Sequence, residues 1–262
     1  MNMLKWEFAA VTDVGCKRTE NQDNFFVSDD RRLFVIADGM GGEFGGATAS
    51  RLAVEAIEKM WNTSPPQDEE RETIHRWLVE AVSNANESVF SAAIDEMHRM
   101  GTTIVVAMQT SSADVHVAHV GDSRAYLIRE GKTIVLTQDH SLVMDLMLAG
   151  KLTQEQFENS PFKNYLTRCV GHNNNVEIDH SPCELRPGDT LMMCTDGLTG
   201  VVRDEQIGEI VKELDEPHAV CNELLRRTIA GGAPDNVTII AIRYSTTTTD
   251  SEHPQELAKS KG

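Results

Sequence analysis

The stretch that decides the fold is Leu33-Phe34-Val35-Ile36-Ala37-Asp38-Gly39-Met40-Gly41-Gly42-Glu43-Phe44-Gly45-Gly46. Residues 33–37 are an unbroken apolar run, which reads as a buried strand ending at Asp38. Small residues follow, and then Ala49, Leu52, Ala53, Ala56, Ile57 and Met60 recur at helical spacing, predicting an amphipathic helix over 47–61. Strand, glycine-rich turn and helix invite a nucleotide-loop reading, and both forms of it fail. G-x-G-x-x-G needs glycine where the chain has Phe44. The spacing G-x-x-x-x-G is met by Gly41 and Gly46, but Ala47-Thr48 stands where Lys-Ser/Thr belongs. Two readings are left. The glycines let the backbone, including a carbonyl ligand, approach a bound ion, or the segment is a flexible turn capped by Asp38.

Asp38 has three counterparts: Asp23 in Arg18-Thr19-Glu20-Asn21-Gln22-Asp23, Asp196 in Thr195-Asp196-Gly197-Leu198-Thr199, and Asp235 in Asp235-Asn236-Val237-Thr238. Each is read as standing at the end of an apolar run, far from the others in sequence. Carboxylates gathered in a folded core repel one another, and burial disfavours their ionised form. A chain that places them this way has a cation to hold. Hard oxygen donors without Cys or His select Mg²⁺ or Mn²⁺ over Zn²⁺. Arg18 lies five positions before Asp23. As an isolated pair the two read as a salt bridge. Beside two cations the arginine's planar fork reads as a phosphate clamp.

Outward from this core, residues 62–70, with Pro65-Pro66, connect to a second long helix over 71–97. Ile74, Leu78, Ala81, Ala85, Val89 and Ala92 form its apolar face. Strands follow over 102–108, 115–120, 123–129 and 133–136. Gly121-Asp122 and Glu130-Gly131-Lys132 separate them, a pattern that predicts an antiparallel meander. Short helices are expected over 141–150 and 153–160, with 161–175 irregular. Strands at 190–194 and 237–244 enclose two helices, 204–213 and 216–230. Asp204 and Glu216-Pro217 supply start signals and Gly231-Gly232 a stop. Residues 245–262, which include consecutive threonines, are expected to be a disordered polar tail. No internal repeat is present. Long helices with meandering strands and no regular βαβ alternation argue for an α+β layered domain.

The chain has 262 residues, enough for a substantial core, and a net charge of −17 from 24 basic and 41 acidic side chains. That balance argues against a generic grip on nucleic acid or an anionic membrane. The cysteines Cys16, Cys169, Cys183, Cys194 and Cys221 are odd in number and form no C-x-x-C pair, which suits free thiols in a reducing compartment. No stretch approaches the about 20 apolar residues needed to span a bilayer. The first ten residues carry Lys5 and Glu7 and lack a signal-peptide core, so a cytoplasmic location is expected.

Three further groups stand out. Asp122, in the turn Gly121-Asp122-Ser123-Arg124, reads equally as a structural hydrogen-bonding residue and as a catalytic one. Asp139, in Asp139-His140-Ser141, stands where a helix begins and can cap it. His116 and His119 are three apart on a strand and face opposite sides, so they cannot share one metal, and no histidine spacing matches a zinc pattern.

Eight short motifs stand in order along the chain: Arg18-x-x-Asn21-Gln22-Asp23, Ala37-Asp38-Gly39-Met40-Gly41-Gly42, Met100-Gly101-Thr102-Thr103, Val120-Gly121-Asp122-Ser123-Arg124, Asp139-His140-Ser141, Leu166-Thr167-Arg168, Thr195-Asp196-Gly197-Leu198-Thr199 and Asp235-Asn236-Val237-Thr238. Taken together, in order and spacing over about residues 8–244, they resemble the metal-dependent protein serine/threonine phosphatases of the type 2C class, in their bacterial form. Singly each is weak; in this order they are specific.

The resemblance implies a four-layer α-β-β-α sandwich, two central antiparallel sheets flanked by helices, formed by a catalytic domain over 1–244 with a flap at 151–164. It implies hydrolysis of phosphoserine and phosphothreonine in protein substrates, those of a Ser/Thr kinase, by in-line attack of a water or hydroxide between two Mn²⁺ or Mg²⁺ ions. Asp38 would bridge the ions and the Gly39 carbonyl would help hold one. Asp196 and Asp235 would complete the other, Asp23 would bind directly or through water, and Arg18 would hold the substrate phosphate. The rival readings are a non-catalytic pseudophosphatase that binds a partner, and a phosphatase dedicated to one regulator of a partner switch.

The chain departs from the pattern at several positions. Met40 stands where some members carry a proton-donating His, leaving a metal-bound water or His140 for that role. Arg99 stands where bacterial members often have an Asp for a third metal, leaving that ion weak, absent or held by another acid such as Asp95. Glu43 and Ala47 replace a frequent His and Glu.

Overall fold

The computed structural model describes residues 4–92, 100–158 and 160–246. In chain order the elements are β1 (Leu4–Asp13), β2 (Asp23–Val27), β3 (Leu33–Met40), α1 (Gly42–Thr63), α2 (Arg71–Ala92), β4 (Gly101–Thr102), β5 (Ile104–Gln109), β6 (Asp114–Val120), β7 (Arg124–Arg129), β8 (Lys132–Val135), α3 (Leu142–Leu148), α4 (Gln154–Glu158), β9 (Asp179–Glu184), β10 (Thr190–Cys194), α5 (Asp196–Thr199), α6 (Asp204–Glu213), α7 (Pro217–Ala230) and β11 (Val237–Thr246).

They form two antiparallel sheets, one in the order β1-β11-β10-β7-β8 and the other β2-β3-β5-β6-β9, with β4 paired to β3. The period-2 alternation of each strand assigns its two faces. Phe34 and Ile36 of β3, Val105 and Ala107 of β5, Leu191 and Met193 of β10, and Ile240 and Ile242 of β11 fill the space between the sheets. The intervening residues Leu33, Val35 and Ala37 pack outward on α1 and α2. Met192, Cys194, Ile239 and Ala241 pack outward on α5, α6 and α7. Burial on both faces is why these strands read as continuous apolar runs. The result is the four-layer α-β-β-α sandwich. Trp61 of α1 meets Trp77 of α2 edge to face, with ring centroids 5.6 Å apart, fixing the outer helix pair.

Several expectations are corrected. Residues 102–136 do not form one meander. β6 pairs with β5 and β9, whereas β7 pairs with β10 and β8, so the chain changes sheets at residues 121–123. Strands β1, β2 and β9 were not expected. β9 contains Pro182 and mostly polar residues, which only an edge position tolerates.

Helix α1 begins at Gly42, five residues before the expected 47, and β11 runs two residues beyond 244 to Thr246. Ser245 thus lies in a strand rather than in a tail. Residues 247–262 and 93–99 lie outside the described residues, and the expected end of the second helix at 97 falls there with Asp95 and Arg99. Only Asp38 and Asp196 follow the apolar residues of their strands. Asp23 opens β2 and Asp235 precedes β11, because in an antiparallel pair the start of one strand lies beside the end of the next.

Among the described residues no helix is long and apolar enough to cross a membrane, and all five cysteines are unpaired. The glycines after Asp38 serve a close approach of backbone to backbone. A Cβ on Gly39 would lie 2.0 Å from the Gly46 carbonyl oxygen and 2.7 Å from that of Gln22. Gly39→Ala is therefore expected to lower the unfolding temperature by about 5 °C, as overpacking against backbone atoms that cannot yield. Differential scanning calorimetry reads this directly, and an unchanged transition would refute the packing argument.

Candidate active site

Asp23 and Asp38 are directly opposed across the β2–β3 ladder, on the faces that carry Phe25 and Ile36 into the space between the sheets. Asp196 begins α5, one intervening residue (Thr195) after β10, and Asp235 lies two residues before β11, both on the side of the other sheet. All four therefore converge at one end of the sandwich. A cavity of about 620 Å³ opens there, lined by Arg18, Asp38, Gly39, Met40, Asp122, Asp196 and Asp235 among others. Asp23 is 8 % exposed and lies behind that wall. Its Oδ2 accepts hydrogen bonds from the hydroxyls of Thr195 at 2.9 Å and Thr238 at 2.7 Å, both from the facing sheet.

The motif residues between the acids hold them in place. Thr103 grips Asp38 from both sides. Its Oγ1 accepts from the Asp38 N–H at 3.0 Å, and its N–H donates to the Asp38 carbonyl at 2.9 Å. Thr102 Oγ1 donates to the same carbonyl at 2.8 Å. Asn236 Oδ1 accepts from the Gln22 N–H at 2.8 Å, while its Nδ2 donates to the carbonyls of Val14 and Glu20, each at 2.9 Å. One buried amide thus fastens the loop carrying Arg18 beside Asp235, and Arg18 Nη2 donates to Asp235 Oδ2 at 2.7 Å.

The electrostatics are those of a cluster short of positive charge. Burial raises Asp23 from 3.8 to about 7, against the lowering effect of its two threonine bonds. Burial and the neighbouring Asp235 raise Asp196 to about 6. Asp38 is pushed well above the usual carboxylate range by burial and then by Asp23 and Asp196, and Asp122 by burial and then by Asp196. Asp23 Oδ1 and Asp196 Oδ1 are buried without a hydrogen-bond partner. Orphaned, desolvated carboxylate oxygens at and behind the wall of this cavity fit a divalent cation, which takes oxygen ligands and offsets their repulsion.

Asp122, which by sequence alone suits a structural or a catalytic role equally, belongs to this cavity. The signal was present: it follows the apolar strand 115–120 just as Asp38 follows 33–37. His140, offered as a proton donor, is instead buried away from the cavity wall. Its Nδ1 accepts from the Gly121 N–H at 3.1 Å, and its Nε2 lies 3.3 Å from Asp179. Asp139 does not cap a helix. Arg124 clamps it through two bonds of 2.7 and 2.6 Å, and Ser141 is the N-cap of α3. Met40 lines the cavity and offers no titratable group.

Residues 17–228 match the family model described as protein phosphatase 2C. This chain belongs to the protein phosphatase 2C family. It is 34 % identical over 243 residues to the serine/threonine phosphatase Stp of Listeria monocytogenes, covering 90 % of this chain and 95 % of that one. It is 36 % identical over 241 residues to the protein phosphatase PhpP of Streptococcus pneumoniae, covering 90 % and 96 %. Among solved structures, the serine/threonine phosphatase of S. agalactiae superposes with a TM-score of 0.84 at 31 % identity, over 91 % of this chain and 99 % of that one. The catalytic domain of the phosphatase PstP, solved in complex with two manganese ions, superposes at 0.81 and 30 % identity, over 92 % and 99 %. The 2C-family chain is therefore an enzyme, a protein serine/threonine phosphatase, and its sandwich is that of its relatives.

The raised carboxyls of this phosphatase predict how the metal-free fold responds to pH. Between 3.8 and about 7 the folded state retains a proton on Asp23 that the unfolded chain has released, so stability falls as pH rises through that window. Relative to Asp23→Asn, which shares the buried histidines whose lowered pKa values act in the opposite direction, the metal-free wild type is expected to lose about 5 °C of unfolding temperature between pH 5 and pH 8, and saturating Mn²⁺ should flatten or invert that difference. An Asp23→Asn variant with the same pH dependence as wild type would contradict the desolvated-cluster account.

Proposed function

We propose that this phosphatase hydrolyses phosphoserine and phosphothreonine esters of protein substrates with two divalent cations, Mn²⁺ or Mg²⁺, at the cavity between Arg18 and the acids. The observation that carries the reading is the set Asp23, Asp38, Asp196 and Asp235, drawn from both sheets to one end of the sandwich, where the last three line one cavity and two buried carboxylate oxygens of the set are unpartnered. A binding module has no use for such a destabilising cluster. The manganese ions in PstP, a relative of the same fold, support the choice of ion.

Asp38, with the Gly39 carbonyl beside it, and Asp196 and Asp235 from the facing sheet would hold the two ions, and Asp23 would act from behind, directly or through solvent. Bound divalent ions would supply activated water and neutralise charge on the attacked phosphoryl group. Arg18 supplies the phosphate handle. It is about half exposed at the cavity rim, and its planar guanidinium, now on Asp235, presents its remaining N–H groups to an incoming phosphate.

No side chain of the cavity is required as a nucleophile. The catalytic domain runs over 1–244, extended by the last residues of β11, and the flap over 151–164 borders the cavity through Asn164. Its substrates are the products of a Ser/Thr kinase, which share the phosphoester and differ in flanking sequence read at that flap.

With Mn²⁺ the protein should hydrolyse p-nitrophenyl phosphate and a phosphothreonine peptide, and chelator should stop both. Asp38→Asn and Asp196→Asn should each lower kcat on the order of 1000-fold, whereas Arg18→Ala should act chiefly by raising KM. Full turnover in chelator would sink the metal-dependent reading. Failure to bind micromolar Mn²⁺ would favour a pseudophosphatase.

A further inference from the structure

We propose that His140 is a positioning residue that sets Asp122 in the cavity by gripping the Gly121 peptide from both sides; the proposal rests on the metal-dependent function above. The His140 backbone N–H donates to the Gly121 carbonyl at 3.0 Å, and the Gly121 N–H donates to the ring nitrogen His140 Nδ1 at 3.1 Å. Gly121 is in the left-handed region, with φ +106°, and a Cβ there would meet Thr103 Cγ2 at 2.6 Å. This turn is where the chain changes sheets, and the next residue is Asp122, whose carboxylate reaches the cavity shared with Asp38 and Asp196. Thr103, against which the glycine packs, also holds Asp38 and bonds Ser123 Oγ at 2.7 Å. The orientation of Asp122 is therefore set by one imidazole on one side and one threonine on the other.

The ring itself is held in a single protonation form. Nδ1 accepts a hydrogen bond from the Gly121 N–H, so the proton of the neutral ring is on Nε2. Nε2 lies 3.3 Å from Asp179 Oδ2, close enough for attraction though outside hydrogen-bond alignment. Asp179 Oδ1 in turn accepts from Arg168 Nη1 at 2.8 Å. The His140 backbone carbonyl accepts from the Thr167 N–H at 2.9 Å, and its ring stacks on His119 with centroids 4.7 Å apart. Burial, helped by His119 and Arg168, lowers His140 to about 4 and keeps it neutral.

His119, His140 and Asp179 offer donor atoms within 4.8 Å of one another, and His119 Nδ1 is buried without a partner, so a cation site there is the rival. The tautomer opposes it. A metal on His140 Nε2 would place the proton on Nδ1, facing the Gly121 N–H donor to donor.

The test uses the full-length protein with His140→Ala, His140→Asn and His140→Gln. The Asn oxygen occupies the place of Nδ1, whereas Gln carries its oxygen one bond farther. Mn²⁺ affinity, read from the free-ion electron paramagnetic resonance signal without turnover, should weaken about 10-fold in the Ala and Gln variants and stay within about twofold in the Asn variant. In an Asp122→Asn background, His140→Ala should add no further loss. Imidazole ¹⁵N shifts of the metal-free wild type should show the Nε2–H form.

Unchanged affinity in both His140→Ala and His140→Gln, an undiminished loss in the Asp122→Asn background, or an Nδ1–H ring would overturn the proposal. Stoichiometric Zn²⁺ binding abolished by Asp179→Ala would also overturn it, in favour of the cation site. If the Ala variant does not fold, the Asn–Gln contrast and the tautomer decide. A wild type that hydrolyses no phosphate ester yet keeps the Asn–Gln contrast would refute the functional reading and leave this one standing.

Discussion

Two threonine hydroxyls reach across the gap between the sheets to one oxygen of Asp23, and the site depends on that contact. Elsewhere the sheets meet through Phe34, Ile36, Leu191, Ile240 and similar apolar side chains, whose attraction is non-directional and tolerates sliding. A carboxylate that must be solvated by named donors does not tolerate it. Thr195 and Thr238 therefore fix the relative position of the sheets at one end. Because Asp38 lies directly opposite Asp23 in the ladder, and Asp196 follows Thr195 in the chain, the same contact sets where the remaining acids stand.

Fixing the acids there makes the site an electrostatic liability that the protein's own groups only partly relieve. Arg18 is the cation at the cavity rim that bonds an acid of the set, and it reaches Asp235 alone. Arg124 is committed to Asp139 and Asp204, Arg168 to Asp179 and Glu177, and Arg129 to Asp189. Asp23 Oδ1 and Asp196 Oδ1 receive nothing. The deficit is local, so the overall charge of −17 is not its cause. It results from removing these particular oxygens from water and then withholding a side-chain partner.

The sequence exposed the acids more readily than the architecture around them. Asp38 and Asp196 announce themselves because each interrupts an apolar run, and the helices α1, α2, α6 and α7 follow their spacing and start signals. Pairing was not legible. The tight turn at Gly121-Asp122 reads as a hairpin, yet the strands on either side belong to different sheets, a fact carried by long-range contacts and not by the turn. β9 had no readable pattern because an edge strand with Pro182 needs none. The functions of Asn236 and Thr103 were equally hidden. Each acts on backbone groups more than 60 residues away, Thr103 on Asp38 and Asn236 on Gln22, and short motifs do not encode such partners.

That the acids come from both sheets has a consequence for folding as well as for chemistry. Asp23 and Asp38 ride on one sheet, while Asp196 at the start of α5 and Asp235 just before β11 belong to the other half, so a cation shared among them would join the two halves of the sandwich. An ion bound that way favours the folded over the unfolded chain in proportion to its occupancy, because the unfolded chain presents no such cluster. The repulsion that burdens the metal-free fold and the affinity that draws the ion are then one quantity seen from two sides. Any change that relaxes the cluster, such as replacing one aspartate by asparagine, relieves the first and weakens the second together. Stability without metal and strength of metal binding therefore cannot be raised independently through these four positions.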